Sequence, residues 1–116
     1  MTVDGVERHF LFTLNAIDEI QDHYGKPLSE TIQELADDTK SVRIMRYLIA
    51  VLLNDEAERE RAAGKGELKT YTEQEAGWLA EKNEMVKYTM AILTAYGVSL
   101  PEAEDEDPNQ TGGQQS

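Results

Sequence analysis

Apolar and polar positions change rhythm within the first 25 residues of the chain. In "VERHFLFT", residues 6–13, Val6, Arg8, Phe10 and Phe12 fall on one side and Glu7, His9 and Leu11 on the other, the period-two pattern of a strand. Asp4-Gly5 just before it is a dipeptide that tolerates the positive φ angles of a two-residue turn. The opening therefore predicts a short hairpin, or a single strand with a ragged start, with Phe10 and Phe12 towards the core. From Leu14 the spacing lengthens to three and four: Leu14, Ile17, Ile20, Gln21 and Tyr24 share one helical face, while Asp18, Glu19 and Asp22 face water. Thr13 or Asn15 can cap that helix, Gly25 is placed to close it in the left-handed conformation, and Pro27 bars its continuation.

The remaining pattern is helical throughout. "SETIQELADD" predicts a short second helix with Leu28, Ile32 and Leu35 as its inner stripe and Thr31 with Glu34 as a capping box. A third helix begins near 39–41. Val42, Met45, Ile49 and Leu52 form its first stripe, widened by Ile44, Leu48 and Val51 until most of the circumference is apolar. Such a helix is central in the core or shared with another subunit. Its second half, "DEAERERAA", including Glu56, Arg59 and Glu60, reads as solvated, and Gly64 and Gly66 end it. Thr72 with Glu75 then opens a fourth helix, expected to run to Tyr96 and stop at Gly97, with Leu79, Val86, Ile92, Leu93 and Tyr96 turned inward. The predicted fold class is mainly α (α+β): a short N-terminal strand or hairpin and about four helices in one domain over 1–100.

Charge changes this picture at the C-terminal end. The chain has 23 acids against 11 bases, a formal charge of −12, and five of the acids lie in "EAEDED", Glu102 to Asp107. Residues 101–116 contain one alanine as their only apolar side chain, too little to offset the entropy of ordering, so they predict a disordered acidic tail. A surface of this sign repels phosphate backbones and argues against nucleic acid as a partner. The longest apolar run, Tyr47–Leu53, is far short of the ~20 residues a membrane span needs. The opening "MTVDGVERHF" has neither the basic start nor the apolar run of a signal peptide, and the absence of cysteine excludes disulfides and thiolate metal sites.

Candidate chemistry is sparse. His9 reads as a surface residue of the strand, and His23, four residues after Glu19, as half of a solvated ion pair; one histidine and one carboxylate do not make a metal site. Asp37-Asp38 and Asp55-Glu56 read as acids at helix ends, where carboxylates cap or face water. "GKG" at 64–66 lacks the spacing of a phosphate-binding loop, and no nucleophile stands in a catalytic context. No catalytic, cofactor-binding or metal residue is expected. Trp78, the only tryptophan, is either a core anchor or an interface aromatic of the kind enriched where proteins meet. Together with the breadth of the third helix it points to an interaction protein, with Ile44, Leu48, Trp78 and Val86 as the expected contact residues for a partner or a sister subunit.

With these elements laid out, the chain resembles the tail assembly chaperones of long-tailed phages and prophages. The likeness is carried by "FLFTLNAIDEIQDHYGKPLSETIQEL", Phe10 to Leu35, in which Leu14, Ala16, Glu19, Ile20, Tyr24 and Gly25 follow the family's style of strand leading into helix. "LIAVLLNDE", a glycine-containing loop and the T-x-x-E helix start at Thr72 continue it over roughly residues 7–97. The resemblance implies a non-enzymatic role in the host cytoplasm. Such proteins bind the long helical tape measure protein, keep it soluble, help recruit tail tube subunits, and leave before the virion matures. Many are made in two lengths by ribosomal frameshifting. Three other readings compete: an acidic DNA mimic that inhibits a DNA-binding protein, an enzyme or metal-dependent module built on scattered carboxylates, and an adaptor domain of another kind.

Overall fold

Two glycines, Gly5 and Gly25, set where the polypeptide turns before its long helix begins. In the computed structural model, which describes residues 1–81 and 84–99, β1 (Thr2–Val3) pairs antiparallel with β2 (Val6–Glu7), Thr2 opposite Glu7 and Val3 opposite Val6. Asp4 (φ 51°) and Gly5 (φ 78°) both take the left-handed region, as a two-residue turn of this hand demands. The hairpin is shorter than the alternation suggested. Arg8 still exchanges backbone hydrogen bonds with Met1 (2.7 and 3.0 Å), but the pairing goes no further, because the side chain of Arg8 and the backbone N–H of His9 are taken by the long helix. The facing was legible: Phe12 is buried and Phe10 packs partly buried against the core.

Helix α1 (Leu14–Tyr24) starts at Thr13, whose Oγ1 accepts from the Ala16 N–H at 3.0 Å and donates to Asp55 Oδ2 at 3.0 Å. One hydroxyl thus caps the helix and ties it to its neighbour. Gly25 closes α1 at φ 69°. The expected stripe needs correcting at both ends: Leu14 is 85% exposed, and Gln21 is exposed, its side-chain oxygen accepting from the Leu28 N–H. Ala16 and Ile20 carry the buried face. Helix α2 (Leu28–Gln33) tightens into a 3-10 turn at Glu34–Ala36. No capping box forms there. Glu34 instead receives Lys26 and Lys40, and Thr31 is fully buried inside α2.

Helix α3 (Ser41–Ala62) is the axle of the molecule, with α1, the 3-10 turn, α4 (Glu73–Glu81) and α5 (Met85–Ser99) all packed against it. Ile44, Met45, Leu48, Ile49, Leu52 and Leu53 are at most 3% exposed, each such side chain contributing about 1.5–3 kcal/mol by burial. Val42, expected on the inner stripe, is 59% exposed. The second half of α3 is not uniformly solvated: Glu56 and Ala57 are buried. Asn54 and Tyr71 exchange a reciprocal pair of hydrogen bonds (2.7 and 2.8 Å) that pins the loop after α3.

The expected fourth helix is two. The Thr72 box forms as read, with Thr72 N–H donating to Glu75 Oε1 (2.9 Å) and Glu75 N–H donating to Thr72 Oγ1 (3.1 Å). Helix α4 then lays Ala76 against α3, whereas α5 directs Tyr88, Ile92 and Ala95 inward, where Tyr88 and Tyr96 meet Phe10 and Phe12. A straight helix over the same length would have carried one of these sets away from the core. Gly97 does not stop α5, which continues to Ser99. The tail expected over 101–116 lies outside the described residues.

Candidate functional site

Two places in the molecule concentrate polar groups or free apolar surface, and they differ in kind. The first is a clamp beneath the hairpin. Arg8, 1% exposed, donates through Nε to Glu56 Oε1 (2.7 Å) and through Nη2 to the Leu53 carbonyl (2.8 Å), and Nη1 reaches the Lys69 carbonyl (3.1 Å). The other oxygen of Glu56 accepts from the His9 backbone N–H (3.0 Å) and faces His9 Nδ1 (3.2 Å). Burial pushes the Glu56 carboxyl up, but the bonds from Arg8 and His9 outweigh it and hold the acid below its ordinary value. A carboxylate kept ionised with both oxygens occupied suits a lock between the N-terminal segment and α3, not proton transfer. Sequence reasoning placed Glu56 in water. The missed signal was Arg8, a cation on the same strand face as Phe10 and Phe12.

His9 is exposed, as expected, apart from this contact. His23 behaves differently from its expected pairing with Glu19. Its ring stacks on Tyr47 (centroids 4.0 Å, planes 14° apart) and meets the Tyr24 ring edge-on at 4.7 Å. Burial raises the Tyr24 and Tyr47 hydroxyls to about 12. Asp55 and Glu56 are interior to α3, not at its end, and Asp55 pairs with Arg59 at 3.0 Å. Among the described residues no group of three or more His, Asp or Glu side chains could hold a metal ion, and no helix is long and apolar enough to cross a membrane.

The second place is apolar. A groove of about 520 Å³ runs between the start of α3, α4 and the first turn of α5, lined by Val42, Met45, Gly77, Trp78 and Met85, with Arg46 and Glu81 among its polar members. Gly77 lets the Arg46 side chain lie close against α4: a Cβ there would sit 3.2 Å from Arg46 Nε, which donates to the Glu73 carbonyl. Trp78 is 57% exposed, so it is no core anchor. Beyond Met85 the apolar surface continues on the outer side of α5 with Val86 (75% exposed), Met90 and Leu93.

The four expected contact residues therefore part company. Ile44 and Leu48, at 3% and 0% exposed, are core residues of α3 and offer nothing to a partner. The reason is that α1, the 3-10 turn, α4 and α5 all pack against α3 and enclose these two positions. Trp78 and Val86 both lie on the open surface formed by α4 and α5. Val42, Met85, Met90 and Leu93, the other exposed members, were missed. The sequence marks them as apolar, but which apolar positions stay open depends on which neighbours reach α3 and α5. Set against family models, curated proteins and solved structures, the chain matches none.

Proposed function

We propose that this chain is a non-enzymatic assembly chaperone that covers apolar segments of a long helical partner, as the tail assembly chaperones it resembles cover the tape measure protein. On this reading it acts in the host cytoplasm, holds the tape measure protein soluble before and during tube growth, helps bring tail tube protein subunits to it, and is absent from the mature virion. One observation carries the reading: the only tryptophan stands half out in water in the wall of an apolar groove of about 520 Å³, beside Val42 and Met85. Aromatic anchors in such grooves are where partner side chains deliver most of their binding energy. The strong negative charge would keep a complex of this kind in solution.

The test is co-expression with a tape measure protein and capture of the soluble complex. Trp78→Asp and Val42→Asp change exposed positions in the groove wall, and circular dichroism checks that both variants are folded. Loss of the complex in both supports the assignment. Undiminished capture by both folded variants overturns it.

A further inference from the structure

Helix α5 is apolar on two opposite sides, and the fold uses one. Tyr88, Ile92 and Ala95 face the core at 6% exposure or less, whereas Val86, Met90 and Leu93, spaced i, i+4, i+7 on the far side, are 75%, 57% and 42% exposed. Gly97 extends this outer stripe by a further turn with open space where a Cβ would stand. Leu11, 40% exposed, borders it, and a groove of about 350 Å³ between Leu11, Phe10 and Met90 runs alongside. Leu and Met side chains over two to three turns, with a furrow beside them, form the ridge-and-groove surface that receives another helix.

Charge decides which helix. Met85–Ser99 contains one charged residue, Lys87, and its ammonium is already engaged by the Thr2 carbonyl (2.8 Å) and by Glu84. No cation is left on this helix to attract an acidic partner. The surroundings are acidic: Glu81 stands exposed just before it, and the chain carries 23 acids against 11 bases. The chain's own C-terminal residues, with one alanine among 101–116, cannot cover an apolar stripe. A second copy is opposed by like charge, since each chain carries a formal −12.

We propose that the outer face of α5 is a second docking surface whose occupant is an amphipathic helix of another polypeptide, with an apolar stripe flanked by lysines or arginines. This rests on the reading of the chain as a binding protein and adds the chemistry of what it binds. The test titrates the full chain into two labelled helical peptides that share a leucine stripe, one flanked by lysines and the other by glutamates. The lysine peptide should bind at least about tenfold more tightly at low salt, the preference shrinking as salt is added. Met90→Glu should weaken it by at least about tenfold with unchanged circular dichroism, and Val86→Gln should weaken it as well. Equal binding of the two peptides, retention of affinity in both variants, a dimer by sedimentation that Met90→Glu dissolves, or capture of neutral lipid vesicles in place of the peptide would each overturn the proposal. Co-expression separates the two levels. If Met90→Glu still holds the tape measure protein in solution as wild type does, the α5 assignment falls and the chaperone reading stands. If the lysine peptide binds through Met90 but wild type never holds that protein, the reverse is true.

Discussion

The first half of helix α3 and the whole of helix α5 are both richly apolar, yet the one is enclosed except at Val42 and the other only on one side. Around α3 the fold places α1, the 3-10 turn, α4, α5 and the clamp from Arg8, so that its apolar girth past Val42 is used up inside. Helix α5 is the last element to pack and has neighbours on one side, which leaves Val86, Met90 and Leu93 outside. An apolar circumference does not tell how much of it will be hidden. That is set by how many elements the topology brings to the helix, a non-local property.

The contrast is most sharply broken at Leu48. If α3 is interior, Leu48→Ala should cost about 2–5 kcal/mol in urea unfolding and Leu48→Asp should fail to fold, as expected of a core position and not of a contact residue. Next comes the clamp. Glu56→Ala leaves the Arg8 guanidinium buried without its acid and should cost roughly 3 kcal/mol or more. The same carboxylate gives a pH signature. Its value in the folded chain lies below the ordinary 4.5, so its contribution is complete above that pH and is lost as pH falls through the lower folded value. Wild type should therefore lose stability more steeply than Glu56→Gln on acidification below about 4.5. At the other extreme Tyr24, Tyr47 and Tyr88, raised from 10.0 to about 12 by burial, hold their contribution below pH 10 and lose it as pH climbs towards 12, visible as an alkaline unfolding transition. Removing the α4 cap with Thr72→Ala should cost about 1 kcal/mol. The smallest effects belong to the open side: Trp78→Ala and Met90→Ser should shift stability by no more than about 0.5 kcal/mol while weakening partner binding.

Much of the local structure was legible. The Asp4-Gly5 turn, the Thr13 cap, the Gly25 stop and the Thr72–Glu75 box are short-range hydrogen-bond or backbone devices, and their residues announce them. What was not legible depended on distant partners. Glu56 looks like any surface acid until Arg8, 48 residues away, reaches it. Leu14 sits at helical spacing for the core but projects beyond the end of the packed face. The division between α4, ending at Glu81, and α5, beginning at Met85, has no glycine or proline in the intervening sequence to announce it. The candidate surface suffered most, because Val42 and Leu93 read as core by periodicity yet stand exposed, as does Met90.

Trp78 offers a direct test of the central claim, being the single tryptophan and lying in the groove itself. Its emission should be red-shifted and readily quenched by iodide in the free protein, then move to the blue and become protected when the tape measure protein is added. A tryptophan already blue-shifted and protected in the free chain, or one whose emission is unchanged in a complex shown by sedimentation to have formed, would contradict the account.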